Sequence, residues 1–569
     1  MKFIRPLAVV ATLIFLIGAA WIWGNRSVKV DMADYAPADS LAYLEFNSLT
    51  EVANSIEQND TWKTVAPLIG VNAVLGNHWL TTVSRVGIGP ADGVIFSRAQ
   101  IALVVLGVNT AEQDDVLRIK PEVAIIAETH TSKWRLKPVA IESIKRLATF
   151  AYGESQCTER TGDADYVECS AASADRKIVG AIDGSLLVIG NSEKSVRSCL
   201  ETRHGLRPSI RTDPELLKMR SSLNAVRALG FGYVSSGNAA KLFSIAAPLL
   251  MGKAPGDRQL EQVLAASAGK ILRGVAWTSK SAGGRIEDRY LFSLEPSVIT
   301  RLEPAFETVT GDEAYWNLVP ATFQSMTIYR TKDPPAGWAA LGSAVALKLD
   351  ALSSVLFGSL LRSSLGVYGI DNPKEVLSTL TPPLLTIRPT PSTEGSVLLA
   401  RVHNGEGLRR VLANEIFKGG RGQILNGIES EPDSEKEFSA VFIDDYVFVG
   451  KTENVRPCLL ALRSKQVVTS PGRLDRSRDF PSSRSAVLTY ANDEARLTSF
   501  ITIMALLKGK RLSEEDVNAL RRAVGTSSFS ATETNLNSLG IERTTRSAFG
   551  QFSTILSLVQ SDSSNALGR

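Results

Sequence analysis

The sequence predicts an α+β protein in which a single N-terminal transmembrane helix precedes two tandem, related α+β units with mainly antiparallel sheets. Three observations carry that expectation. An uncharged apolar run follows the first five residues. Two long stretches about 260 residues apart match one another, and tight-turn residues punctuate short β-branched and apolar runs.

The apolar run extends from Pro6 to Gly24 and is about 19 residues long, near the roughly 20 that cross a bilayer core. Trp21 and Trp23 stand at its far end, where indole rings favour the headgroup layer. Lys2 and Arg5 precede it, which keeps the short N-terminus in the cytoplasm. Gly18, Ala19 and Ala20 offer a cleavage site as the competing reading, but the apolar run continues past them. The expected location is the inner (cytoplasmic) membrane, crossed once, with the body on the periplasmic or extracellular side.

The repeat is clearest between Ala181–Gly190 and Val441–Gly450. A single-residue gap then aligns Val196 with Val455, Arg197 with Arg456 and Cys199 with Cys458. Each copy reads strand, turn, strand, helix. Asp183-Gly184 and Asp444-Asp445 supply the turns, and Ser192 and Thr452 are candidate helix caps. Upstream, Ala124–His130 matches Val397–His403, and Ala36–Leu44 matches Val319–Thr327. Downstream, Phe231–Val234 corresponds to Val487–Tyr490. Apolar helices follow, then helices beginning at Asp257 and Ser513, then closing strands. A unit this long is a duplicated domain, since solenoid repeats run to about 20–50 residues. The expected boundaries are an anchor at 1–24, a linker at 25–33, a first unit at 34–300, a linker at 301–314, a second unit at 315–560 and a disordered tail at 561–569.

The chain has 63 basic and 59 acidic side chains, and this near balance argues against a nucleic-acid partner. Cys157 and Cys169 flank Thr161-Gly162-Asp163, a hairpin sequence that can bring them face to face, so they form a candidate disulfide. In an oxidising compartment such a bridge adds about 3 kcal/mol. Cys199 and Cys458 read as small buried hydrophobes. His130 and His403 occupy matching positions, while His78 and His204 lack partners at metal-ligand spacing, so no metal or cofactor is expected. The glycine-rich stretch Gly87–Gly93 departs from phosphate-loop spacing, and no Gly-x-Ser-x-Gly elbow occurs. No catalytic residue is therefore assigned.

Two helices are apolar on most faces. One carries Leu242, Phe243, Ile245 and Leu249, the other Phe500, Ile501, Met504 and Leu507. Such helices are usually core. The sharper alternative is that the pair lines a hydrophobic-ligand groove or a contact surface.

The anchor, the Ala36-Pro37-Ala38-Asp39 opening before a strand, and the Asp183-Gly184 hairpin leading to Gly190 and a helix resemble a family of bacterial membrane-anchored envelope proteins known only as a domain of unknown function. The resemblance covers most of residues 34–300 and extends into the second copy. It implies an exported α+β body and no particular reaction or catalytic residue. The functional expectation is a membrane-anchored envelope protein with a non-enzymatic binding or scaffolding role, its partners the membrane and another envelope protein. Two alternatives stand beside it. One is an envelope hydrolase whose site assembles only in three dimensions, the other a lipid or hydrophobic-ligand binding protein.

Overall fold

A computed structural model describes residues 29–70, 95–96, 99–113, 116–171, 176–239, 241–242, 268–310, 314–349, 361, 365–390, 395–415, 420–468, 485–507, 512–524 and 529–554. The first half contributes β1 (Ala42–Phe46), β2 (Gln100–Gln113), β3 (Val116–Glu128), β4 (Ser155–Thr161), β5 (Asp165–Ala171), β6 (Lys177–Asp183), β7 (Leu186–Gly190), β8 (Gly230–Ser235), β9 (Leu272–Ala282) and β10 (Arg285–Leu294). The second half contributes β11 (Ser325–Tyr329), β12 (Leu380–Arg388), β13 (Val397–Val402), β14 (Gly422–Asn426), β15 (Phe438–Ile443), β16 (Tyr446–Lys451), β17 (Val487–Asn492), β18 (Phe529–Asn537) and β19 (Gly540–Ser547).

Local chemistry explains these elements. The β6–β7 and β15–β16 hairpins turn at Gly184 (φ 62°) and Asp444 (φ 51°), residue types that tolerate left-handed backbone. Ser192 accepts the amide of Ser195 and caps the helix Glu193–Arg203. Thr452 lies inside the helix Thr452–Arg463 rather than capping it, and its hydroxyl meets Ser439 at 2.8 Å. Ser513 and Asp516 form a reciprocal capping box, with each backbone amide donating to the other side chain.

All nineteen strands join one sheet. Outward from β10 the order is β9, β8, β1, β2, β3, β7, β6, β5 and β4. Outward from β19 it is β18, β17, β11, β12, β13, β16, β15 and β14. Every pairing is antiparallel except β14 with β15. The two halves thus repeat one strand order and meet edge to edge at β10 and β19.

The register at that junction has twofold character. Counted from the hairpin turns, Ile286 is the counterpart of Ile541, and Phe292 that of Ser547. Ile286 pairs with Ser547 while Ile541 pairs with Phe292, so exchanging the halves leaves the register unchanged. Arg289 faces its own counterpart, Thr544, on the axis. Equivalent glutamates on the two strands each take a guanidinium from across the junction. Arg289 Nη2 lies 2.6 Å from Glu542, and Arg546 Nε lies 2.9 Å from Glu287. Burial alone would raise the Glu287 carboxyl, but Lys280 and Arg546 outweigh it and hold the group below its ordinary value. On the opposite face, Asp288 accepts Trp277 Nε1 at 2.9 Å and the Gln551 amide at 3.0 Å, tying the last described turn to β10.

Helices and cores cover both faces. Met32, Tyr43, Val104, Ile126 and Phe231 gather in one core, and Met326, Ile328, Leu399 and Phe448 in its second-half counterpart. A third core crosses between halves, where Trp62 packs with Phe500, Ile501, Met504 and Phe549. The helix Pro296–Phe306 of the first half likewise packs on the helix Pro334–Ala346 of the second.

Two expectations are corrected. The protein is a mixed α/β assembly on one continuous nineteen-stranded sheet, not two tandem α+β units with separate sheets. Each half ends in a strand whose outer backbone groups need partners, and the two ends satisfy one another. The transmembrane helix is the second correction: among the described residues, no helix is long and apolar enough to cross a membrane. The apolar helix Glu494–Leu507 has only 14 residues, and its large side chains serve the core. The run Pro6–Gly24 lies outside the described residues, as does the tail 561–569. The single-pass inner-membrane location that rested on that run is withdrawn with it.

Gly540 (φ 145°) leaves no room for a side chain between β19 and β10, because an added Cβ would stand 2.1 Å from the Phe292 carbonyl oxygen. Gly540→Ala should lower stability by about 2 kcal/mol or more in urea unfolding. A variant as stable as the parent would show that the junction is looser than described.

Candidate functional site

The residues singled out by the sequence fall in different places. Cys157 and Cys169 face each other on β4 and β5 and are bridged, with an S–S distance of 2.05 Å. The bridge staples the outermost strand of the first half. Cys199 and Cys458 are buried, which pushes both thiols up to about 12 and keeps them from acting as thiolates. Leu242 is half-buried, whereas Phe243, Ile245 and Leu249 lie outside the described residues. Phe500, Ile501 and Met504 are buried in the core around Trp62, and the side chain of Leu507 lies outside the description. His204 Nε2 is 2.9 Å from Asp183, and His130 Nε2 is 3.2 Å from Gln100. Among the described residues, neither imidazole hydrogen-bonds to a serine or threonine hydroxyl. Among the described residues no group of three His, Cys, Asp or Glu side chains could hold a metal. His78 and Gly87–Gly93 lie outside the description.

Folding also assembles a buried charge network that no motif signalled. Tyr43 Oη donates to Glu45 at 2.5 Å. Arg220 reaches Glu45 through one nitrogen and Asp31 through the other, at 2.8 and 3.0 Å to the two carboxylate oxygens. Burial works against the Arg220 charge, but Glu45, Tyr43 and Asp31 outweigh it and raise its pKa. Burial first, and Glu45 second, push the Tyr43 phenol well above its ordinary value. The network ties the N-terminal segment to the body through Asp31 and Arg220. Strand register supplies its counterpart in the second half. Tyr43 pairs with Tyr233 as Met326 pairs with Tyr490, and Glu45 pairs with Phe231 as Ile328 pairs with Leu488. This register shifts the Phe231–Val234 match with Val487–Tyr490 by one residue. Where the first half buries Tyr43 and Glu45, the second buries Met326 and Ile328.

Described residues of the second half line three cavities. One, of about 690 Å³, is an open cleft around Asn317, Asp444 and Lys465. A second, about 360 Å³, lies beside Lys332 and Arg401. The third, about 390 Å³, is the candidate binding site because the described residues that line it include no aspartate, glutamate, lysine, arginine or histidine. The helix Pro334–Ala346 forms one wall and presents Trp338 and Leu341. Asp333 caps this helix by accepting the Ala336 amide at 2.9 Å, and Pro334 supplies its preset first turn. Gly337 lets it sit close to Thr331 and Ala305, since a Cβ there would stand 2.6 Å from Thr331 Cγ2. The floor is the sheet, through Tyr329 of β11, Leu384 and Thr386 of β12 and Leu398 of β13. Leu365, Tyr368 and Leu377 close the far side.

Apart from the Trp338 indole N–H, the polar side-chain groups among the described lining residues are hydroxyls. Burial, then Tyr329, pushes the Tyr368 phenol up to about 12, against hydrogen bonds from Ser396 and Thr386. Tyr329 is also raised by burial, an effect moderated by its 38 % exposure at the mouth. Both phenols stay neutral and can donate to a ligand oxygen. Sequence reading missed this site. The available signal was the capped helix at Asp333 carrying Trp338 and Leu341. Nothing local links Tyr329 to Tyr368, which meet only across the sheet.

The charge network should be costly to break and inexpensive to replace. Arg220→Met alone should cost about 3–5 kcal/mol in urea unfolding, because it strands Glu45 and Asp31. Adding Tyr43→Met and Glu45→Ile, the residues of the second half, should recover most of that loss. A triple variant as unstable as the single one would refute this reading. No family model, curated protein or solved structure matches the chain, so its functional assignment rests on this geometry.

Proposed function

We propose that the protein is a non-enzymatic binding protein that holds an uncharged, largely apolar ligand in the cavity between the helix Pro334–Ala346 and the sheet. The observation that carries this reading is the lining: its described residues are aliphatic and aromatic side chains with a few hydroxyls and, among them, no ionised group. Such a pocket gains from every apolar group it dehydrates and penalises a charged one, which would lose its water without compensation. The neutral hydroxyls of Tyr329, Tyr368 and Thr386 offer one polar end, suited to a carbonyl, ester or hydroxyl on the ligand. The histidines support a hydrolase less well, since His130 and His204 pair with Gln100 and Asp183 rather than with a nucleophile.

Titration of the full chain with a neutral solvatochromic dye tests the proposal. A saturable, blue-shifted emission is expected. Leu341→Asp, at the cavity mouth, should weaken it by about tenfold or more, because the ligand would then bury a carboxylate. Leu460→Asp should leave it unchanged, as Leu460 is a leucine 51 % exposed elsewhere on the surface. Failure to saturate, or an equal loss in both variants, would reject the cavity as the site.

A further inference from the structure

The two halves repeat one strand order, but among the described residues the first half has one strand more. β5 and β14 hold equivalent places, β5 beside β6 and β14 beside β15. In the first half the outer side of β5 is filled by β4, from the pair Ser155 with Ala171 to the pair Thr161 with Asp165. In the second half no described strand follows β14.

The register shows which backbone groups of β14 are left over. The Phe438 amide donates to the Arg421 carbonyl, and the Gly427 amide to the Phe442 carbonyl. Residues that turn their amide and carbonyl toward a neighbouring strand alternate, so Gln423 and Leu425 face β15 as well. Gly422, Ile424 and Asn426 therefore direct theirs away from the sheet. Among the described residues the Ser430 hydroxyl donates to the Asn426 carbonyl, and no other hydrogen bond reaches this row.

Exposed edges are commonly blunted by charge. β4 follows that rule, since Glu159 and Arg160 stand on it, ion-paired to Lys145 and Glu193. β14 reads Gly-Gln-Ile-Leu-Asn and has no charged side chain. Its two faces are taken: Ile424 packs in the core of Leu408 and Leu412, and Leu425 in the core of Val455 and Leu459. What β14 offers to a partner is its edge.

We propose that this edge is a self-association surface, on which β14 pairs antiparallel with β14 of a second copy of the chain. Self-complementarity selects a second copy. In an antiparallel pair centred on Ile424, that residue meets its own counterpart and Gly422 meets Asn426, so one row of donors and acceptors satisfies itself. The chain already closes one pair of edges in this way, where Arg289 faces its counterpart Thr544 at the β10–β19 junction. The flanking charges are complementary too. Arg421 precedes the strand, and Glu429, 85 % exposed and 4.0 Å from Arg463, follows it. Antiparallel pairing sets the start of one strand beside the end of the other, which brings each Arg421 toward the second copy's Glu429.

Sedimentation velocity of the full chain over a range of concentrations tests the assignment. A reversible monomer–dimer equilibrium is expected, weak because a short strand pair buries little area. Asn426→Pro should weaken it by about tenfold or more, since the ring removes an outward donor and leaves the ladder to β15 intact. Glu429→Lys should weaken it a few-fold by setting cations side by side, and that loss should shrink at high salt. Glu51→Lys, the same charge change at a glutamate 53 % exposed in the first half, should alter nothing. If Asn426→Pro also lowers the melting temperature, Glu429→Lys decides alone. A chain that stays monomeric throughout, as it would if the edge served an extended segment of another protein, overturns the proposal. So does self-association that both β14 variants leave unchanged, or an equal loss in Glu51→Lys.

Discussion

The β10–β19 junction is the interaction on which the rest of this structure depends. Each half, taken alone, would end in a strand with a row of unsatisfied backbone donors and acceptors, the condition that leads to edge-to-edge association. Pairing the two edges satisfies both rows and converts two sheets into one. The twofold register explains how a duplicated unit can do this: a strand that pairs with its own counterpart needs no second, complementary surface. Glu287 and Glu542, at equivalent positions, each take an arginine from across the seam, adding charge complementarity to the ladder.

The junction also dictates how the halves share their cores. Trp62 of the first half is buried against Phe500 and Phe549 of the second, and the helix after β10 packs on the first helix after β11. Neither half completes these layers alone. A disturbance at the seam is therefore felt in cores on both sides, whereas one in the outer hairpin of β4 and β5 is contained by the Cys157–Cys169 bridge.

Once joined, the halves diverged in what they enclose. The first half fills its interior with its own chain: Arg220 ties Asp31 to Glu45, and Gln100 clasps Val30. The second half places apolar side chains at the positions of Tyr43 and Glu45, inserts a proline pair into its ladder and retains cavities on both faces of the sheet. Buried ion pairs are seldom more stabilising than the apolar residues that can replace them, and this chain contains both solutions at equivalent sites. The polar version fits a closed, uniquely ordered terminus, and the second half leaves room for ligands.

The sequence by itself determined local conformation. Alternation, turn residues and caps place hairpins such as Asp183-Gly184 and the capping box at Ser513, because these depend on neighbours a few residues apart. The internal matches between segments were equally legible, since they require only comparison of residues. The partner of β10 was not legible, because backbone hydrogen bonds carry no side-chain identity and any free edge can pair with any other. The apolar cavity escaped for a related reason: Tyr329, Trp338 and Tyr368 lie on separate elements, and only packing makes them neighbours. The same holds for Arg220 and Glu45, 175 residues apart, each of which reads as an ordinary surface charge until the sheet closes over both. Tertiary structure decided these features because they arise from long-range contacts, whose specificity lies in shape and burial rather than in any local run of residues.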